Sequence, residues 1–154
     1  MIFKQWEQVL DGTKTQTRRP VKPNECLWDD AETGLPYAIT QVNTDENKTK
    51  YRVGDTLAVQ RPDNEIVGRI QITKIRRERL GDISEEDCLA EGLIIGNELE
   101  GVCGYTCPIC GTGWYAPAFV VYACLWNHCY GPGAWERMKD DDCWVLEFEV
   151  DEGG

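Results

Sequence analysis

The chain has 154 residues, the length of one domain that buries about 70% of its unfolded surface and needs no disulfide scaffold. Sixteen basic against 27 acidic residues leave a net charge of −11, which disfavours long duplex DNA as a partner but not a nucleoside or a short single-stranded RNA. No run of 18 apolar residues and no apolar leader occurs, so neither a membrane span nor a signal peptide is expected, and the chain reads as cytoplasmic.

In residues 2–11 the apolar positions Phe3, Trp6, Val9 and Leu10 recur at helical spacing, and Gly12 sits where a glycine stops a helix. The chain then enters GTKTQTRRP, residues 12–20, dense in hydroxyls and positive charge. Residues 21–50, rich in Pro, Asn, Asp and Thr, read as a loop excursion with one β-prone patch at 37–42. A Gly-Asp turn precedes Leu57 and Val59, whose alternation marks a strand, and the following basic segment alternates at Ile70 and Ile72 and ends with Arg76, Arg77 and Arg79. GDISEEDCLAEGL is a helix with a capping box at Ser84 and Asp87, a staple from Ile83 to Cys88, and Gly92 as its stop. A Cys-rich insertion at about 95–116 leads into APAFVVYACLWNHC, a helix apolar nearly all round and hence expected to be buried, with Pro117 in its first turn. The closing CWVLEFEV alternates as a half-buried strand, with Trp144, Leu146, Phe148 and Val150 on one face. Strands dominate with short helices between them, giving a single α+β domain over 1–154 with a curled or barrel-like, mostly antiparallel sheet.

Three residues carry the simplest chemistry. A threonine hydroxyl becomes a nucleophile when a neighbouring base takes its proton, and a lysine serves as that base when burial or nearby cations lower its pKa. Lys14 and Thr17, beside Arg18 and Arg19, meet that description if Lys14 still lies in the turn after Gly12, since side chains three apart on a strand face opposite ways. Glu91 closes the GDISEEDCLAEGL helix, where the negative end of the dipole favours a protonated carboxyl able to orient water or protonate a leaving group. Arg18 or Arg19 would hold a phosphate or an oxyanion, and Trp144 could stack on a base. In the insertion, Cys107-Pro-Ile-Cys110-Gly is a metal knuckle, with Cys103 four residues earlier. Structural zinc wants four ligands, and the pair beyond Cys107 and Cys110 would come from Cys103 with one of Cys88, Cys129, Cys143 or His128. No organic cofactor is expected.

The order of these elements, G-x-K-T-x-T-x-R, then GD-x-L-x-V, a basic strand, DISEEDCLAEG, LWNHCYGPGAWE and WVLEFEV, resembles the ASCH domain, a branch of the PUA-like superfamily, in its phage and prophage versions. The resemblance implies a β-barrel of about five to six mostly antiparallel strands with short helices on its rim, a cleft proposed to bind RNA, and the host cytoplasm as location if the gene is phage-borne. Some small bacterial members are amidohydrolases that remove the acyl group of N4-acetylcytidine with a lysine, a threonine and a glutamate. Those positions fall on Lys14, Thr17 and Glu91. The readings that stay open are such a hydrolase, a non-catalytic RNA-binding module tracking phosphates with Lys14, Arg18, Arg19, Lys22, Arg76, Arg77 and Arg79, and a ribonuclease using the same cleft.

Overall fold

A computed structural model describes residues 1–42 and 47–152. The central sheet has strand order β1 (Gln16–Pro20), β10 (Asp142–Val150), β6 (Ile66–Arg79) and β5 (Thr56–Gln60), all antiparallel. Two smaller antiparallel sheets flank it. One joins β2 (Glu25–Asp29), β3 (Pro36–Val42) and β4 (Asn47–Arg52), and the other β7 (Ile94–Leu99), β8 (Val102–Thr106) and β9 (Gly113–Tyr115). The expected α+β class with a curled antiparallel sheet and a few short helices is what forms. The two supposed excursions are sheets of their own, so the chain carries more strands than the barrel alone requires. In particular, residues 21–50 are largely strand: β3 supplies the apolar row Ala38 and Ile39, and the polar strands beside it pack through Leu27 and Tyr51.

Curling of the central sheet has a local cause. Along β10, Glu147 pairs with Lys74 but Phe148 with Ile72, which leaves Thr73 as an extra residue on β6. Such a bulge bends the strand and increases its twist. The concave face packs Ile72, Ile75, Trp144 and Leu146 against Ile39 of the flanking sheet. On the opposite face Cys143 and Val145 meet the helices α2 (Glu85–Ala90), α3 (Ala118–Tyr130) and α4 (Ala134–Met138). From Cys143 to Leu146 β10 is therefore buried on both faces, and solvent reaches the strand at Asp142 and towards Glu149. Helix α3 likewise departs from expectation, because Phe119 and Val120 in its first turn are exposed while Val121, Tyr122, Leu125 and Trp126 are buried.

The N-terminal helix is shorter than its periodicity implies. Ile2 forms a parallel bridge to Gln60, and α1 spans Trp6–Asp11, ended by Gly12 at φ 83. Phe3 and Val9 pack with Val59, Ile70 and Phe148, which anchors α1 to the sheet end. No helix among the described residues is long and apolar enough to cross a membrane.

Candidate functional site

The α1 stop delivers Lys14 into an irregular link before β1 begins at Gln16. That link is fixed by backbone hydrogen bonds from Lys14 N to Gln8 O (2.9 Å) and from Thr15 N to Ala90 O (2.9 Å). Lys14 and Thr17 can therefore line the same cavity despite their three-residue spacing, because only Thr17 is on the strand.

Glu91 reaches the same place from the end of α2. Ser84 Oγ accepts the Asp87 amide at 3.1 Å and caps the helix. The Asp87 carboxylate does not reciprocate; it binds Gln16, Arg18 and Arg76 instead. At the other end, Gln5 Nε2 donates to Glu91 O (2.9 Å) and Gln8 Nε2 to Gly92 O (2.9 Å), pinning the turn to α1. Gly92 has φ 105, and a Cβ there would stand 2.4 Å from Gln5 Nε2, so this close approach needs glycine.

The result is a cavity of about 220 Å³ lined by Lys4, Lys14, Thr17, Arg18, Arg19 and Glu91, with Phe3, Tyr122, Trp126, Cys129 and Tyr130 among its apolar and aromatic walls. Lys14 and Glu91 are each 3% exposed. Lys14 Nζ donates to Glu91 Oε2 at 2.6 Å, to Gln16 O at 2.8 Å and to Glu91 O at 3.2 Å. Burial lowers the Lys14 pKa from the ordinary lysine value, and the Glu91 carboxylate offsets part of that effect. Thr17 is buried and lines the cavity beside Lys14. Burial raises the Tyr122 pKa well above the ordinary phenol value, so its hydroxyl is a neutral donor.

The two arginines differ. Arg18, with a side chain 0% exposed, contacts Glu91 at 3.3 Å, Glu78 at 3.0 Å and Asp87 at 3.0 Å, and also donates to Gln16 Oε1. It braces the floor of the cavity, and only its Nε lacks a partner. Arg19 has no carboxylate partner among the described residues; it lies over the Phe3 ring at 5.4 Å and donates to Ile2 O. Lys4, which lines the same cavity and donates to His128 O, likewise has no carboxylate partner among the described residues.

Trp144 requires a correction. It is 0% exposed, its indole N–H donates to Glu25 Oε1 at 2.9 Å, and Arg77 covers its ring at 5.5 Å. It packs in the concave core with Ile39, Ile72, Ile75 and Leu146, so it cannot stack on a ligand. The aromatics facing the cavity are Phe3, Tyr122, Trp126 and Tyr130. The i, i+4 spacings of Tyr122 with Trp126 and of Trp126 with Tyr130 in the sequence were the available signal.

The arginines of β6 are also engaged. Arg76 binds Asp87 (2.7 Å), Glu78 (3.2 Å) and Glu147 (3.4 Å), Arg77 binds Asp142 (2.7 Å), and Arg79 binds Asp82 (2.9 Å) and Asp140.

The knuckle is completed from α3. Ligand atoms of Cys107, Cys110, Cys124 and His128 all lie within 4.8 Å of one another, a set able to hold a metal ion. The turn itself is set by Gly111 at φ 74, whose amide donates to Cys107 O at 2.9 Å. Hydrogen bonds with Thr112 pull the Cys110 thiol below its usual value, to about 6. Cys103 is outside this group: it lies on β8 with its Sγ 3.7 Å from Gly104 O. Cys88 and Cys143 are core thiols pushed up to about 12 by burial, and Cys129 faces the cavity. Cys124-x-x-x-His128, one helical turn apart, was the overlooked signal.

No family model matches the sequence, and no curated protein matches it. Two solved structures are similar to the chain. An ASCH domain from Lactobacillus crispatus JV V101 is 15% identical, with 94% of this chain and 69% of that one covered and a TM-score of 0.49. Protein EF3133 from Enterococcus faecalis V583, carrying the family label DUF984, is also 15% identical, with 94% and 68% covered and a TM-score of 0.50. At this identity the second likeness is one of fold, and it accords with the α+β architecture described above.

Proposed function

We propose that the chain is an ASCH-type domain whose cavity binds a nucleoside, or one base of a short single-stranded RNA, and hydrolyses an acyl amide on it, with N4-acetylcytidine as the type substrate. The observation that carries this reading is the convergence of Lys14, Thr17 and Glu91 on one aromatic-walled cavity of about 220 Å³. That volume is below the roughly 300–1,000 Å³ of sites for drug-sized ligands, which suits one nucleoside better than a stretch of strand.

Thr17 Oγ1 attacks the amide carbonyl carbon as Lys14 Nζ, in its neutral form, takes the hydroxyl proton. The tetrahedral oxyanion faces Arg19 and the Tyr122 hydroxyl. As the C–N bond breaks, Lys14 passes the proton to the departing N4 amine, leaving cytidine and an acetyl ester on Thr17. A water oriented by Glu91 then attacks that ester, returning the proton to Thr17 and releasing acetate. Chromatography of N4-acetylcytidine incubated with the protein tests this reading: cytidine and acetate should appear in equal amounts, and their absence refutes it.

A non-catalytic phosphate track receives less support, because Arg76, Arg77 and Arg79 are each already neutralised by carboxylates. A ribonuclease using the cavity would reveal itself by metal-independent cleavage of single-stranded RNA.

Zinc is the ion that best suits the second site. Three sulfurs and one imidazole are its characteristic donors, and tetrahedral bonds of about 2.3 Å place sulfurs about 3.8 Å apart. Cys110 Sγ and Cys124 Sγ stand 3.7 Å apart. With four protein ligands the ion is structural, since no position is left for water. Elemental analysis of untagged protein tests it, with one zinc per chain expected and less than about 0.2 contradicting it.

A further inference from the structure

We infer that the metal ion held by Cys107, Cys110, Cys124 and His128 fixes one wall of the nucleoside cavity, so that loss of the ion loosens that wall while the central sheet stays folded. The inference rests on the zinc reading above. Its basis is that α3 serves both sites with different faces. Cys124 and His128 are one turn apart and face the knuckle. Leu125 and Cys129, each one residue further on and so about 100° round the helix, face the cavity, with Trp126 and Tyr130 beside them.

The knuckle touches the opposite side of the cavity as well. Its Pro108 and Ile109 line a recess shared with Lys4 and Gln5, the segment that leads into α1. Lys4 Nζ in turn donates to the backbone carbonyl of His128, closing a loop from ligand to cavity rim. An ion bonded to two residues of the knuckle and two of α3 would therefore hold three pieces of chain around the cavity mouth in register.

Without an ion, the ligand side of this corner is held lightly: of the four ligands only Cys107 is buried, while Tyr122, Leu125 and Trp126 fix the other face of α3 in the core. Cys110 and His128 are exposed and Cys124 only half-buried. The neighbouring Ile109 and Tyr130 are partly buried against the core rather than within it. By contrast, Ile72 and Ile75 of β6 and Trp144 and Leu146 of β10 hold the concave face in a separate apolar cluster, and only the other face of β10, through Cys143 and Val145, shares the cluster of Cys107, Ile109 and Cys124. Local opening of the α3 end need not disturb them, because elements with few buried contacts open at lower free energy than core strands.

Hydrogen exchange on the zinc-loaded protein, on protein stripped by a chelator, and on the stripped protein after zinc is returned tests this. Stripping should accelerate exchange of amides 122–130 on the order of tenfold or more, reversibly, with β6 and β10 unchanged. Cys110→Ser should copy the stripped protein, while Cys103→Ser should keep both zinc and protection. Equal protection of 122–130 with and without zinc overturns the inference but leaves the zinc reading intact. Loss of protection throughout the molecule overturns it too, since the ion would then hold the whole fold. Absence of zinc from the protein as isolated removes the zinc reading and this inference with it.

Discussion

The Lys14 ammonium lies 2.6 Å from a Glu91 carboxylate oxygen that arrives from 77 residues away in the chain, with both side chains shut off from solvent. Two further acceptors, the carbonyls of Gln16 and Glu91, take up the remaining Lys14 protons. In the protonated state this lysine is fully engaged, and it becomes a base only by giving up one of these hydrogen bonds.

That state sets a pH dependence. Burial lowers the Lys14 pKa below 10.5, so the neutral lysine accumulates at lower pH than for a free one. The rate of amide cleavage should rise with pH and level off below pH 10.5. The linked stability effect has the same sign: between the folded and unfolded pKa values the unfolded chain binds more protons, so Lys14 makes the fold gain stability as pH rises there. A rate profile under saturating substrate, set beside chemical denaturation at each pH, checks both.

Arg18 and Arg19 should separate structure from binding. Arg18→Met leaves Glu78, Asp87 and Glu91 without their shared cation, and breaking a buried charge pair costs about 3–5 kcal/mol. Arg19→Met breaks no carboxylate pair among the described residues, so its stability should change by less than about 1 kcal/mol, while affinity for a nucleoside monophosphate falls. Urea titration and calorimetric binding of the two variants would tell them apart.

Glu25 governs acid stability. Burial works to raise its pKa, but hydrogen bonds from Lys50, the Lys22 amide and the Trp144 indole outweigh that and leave it below 4.5. A depressed carboxyl stabilises the fold above its unfolded pKa, and the benefit is lost as pH falls through the folded one. Glu25→Gln should therefore flatten the fall of stability below pH 4.5, measured by thermal melts from pH 3 to 7 on the scale of ordinary carboxyl titration.

Ser84 is the remote support of Glu91. Replacing its cap hydroxyl by Ser84→Ala should cost about 0.5–2 kcal/mol and, on the proposed mechanism, lower the turnover rate more than it raises KM, because α2 ends at Glu91 and does not form the aromatic wall. An unchanged turnover rate would mean that Glu91 is held by Lys14, Arg18 and the Gln5 and Gln8 contacts without help from the cap.

Much of the fold could be read locally. Gly12 at φ 83 and Ser84 over the Asp87 amide are short-range signals that the chain obeys, and they place the two segments that bring Lys14 and Glu91 to the cavity. What could not be read was partnership across the sheet. Trp144 sits on a strand with a clean apolar alternation, but which face meets a ligand depends on the neighbours of β10, and these come from β1 and β6. The same limit hid one of the metal ligands. Cys107 and Cys110 announce a knuckle and His128 stood among its candidate partners, whereas Cys124 is hidden in an apolar helix whose orientation no local pattern specifies. In residues 21–50 the β-prone patch at 37–42 is β3, but β2 and β4 beside it are largely exposed, and the sheet gains stability from Ile39 packing beneath the central sheet rather than from their own composition.

The most direct test is the rate of acetate release from N4-acetylcytidine by the wild-type protein beside Lys14→Met, Thr17→Val and Glu91→Gln, with folding of each confirmed by hydrogen exchange of β10. Turnover by the wild type, with each substitution lowering kcat/KM by roughly 10²-fold or more, is the expected result. A folded Thr17→Val or Lys14→Met variant that releases acetate at the wild-type rate would contradict the assignment of this cavity as the place where the amide is cleaved.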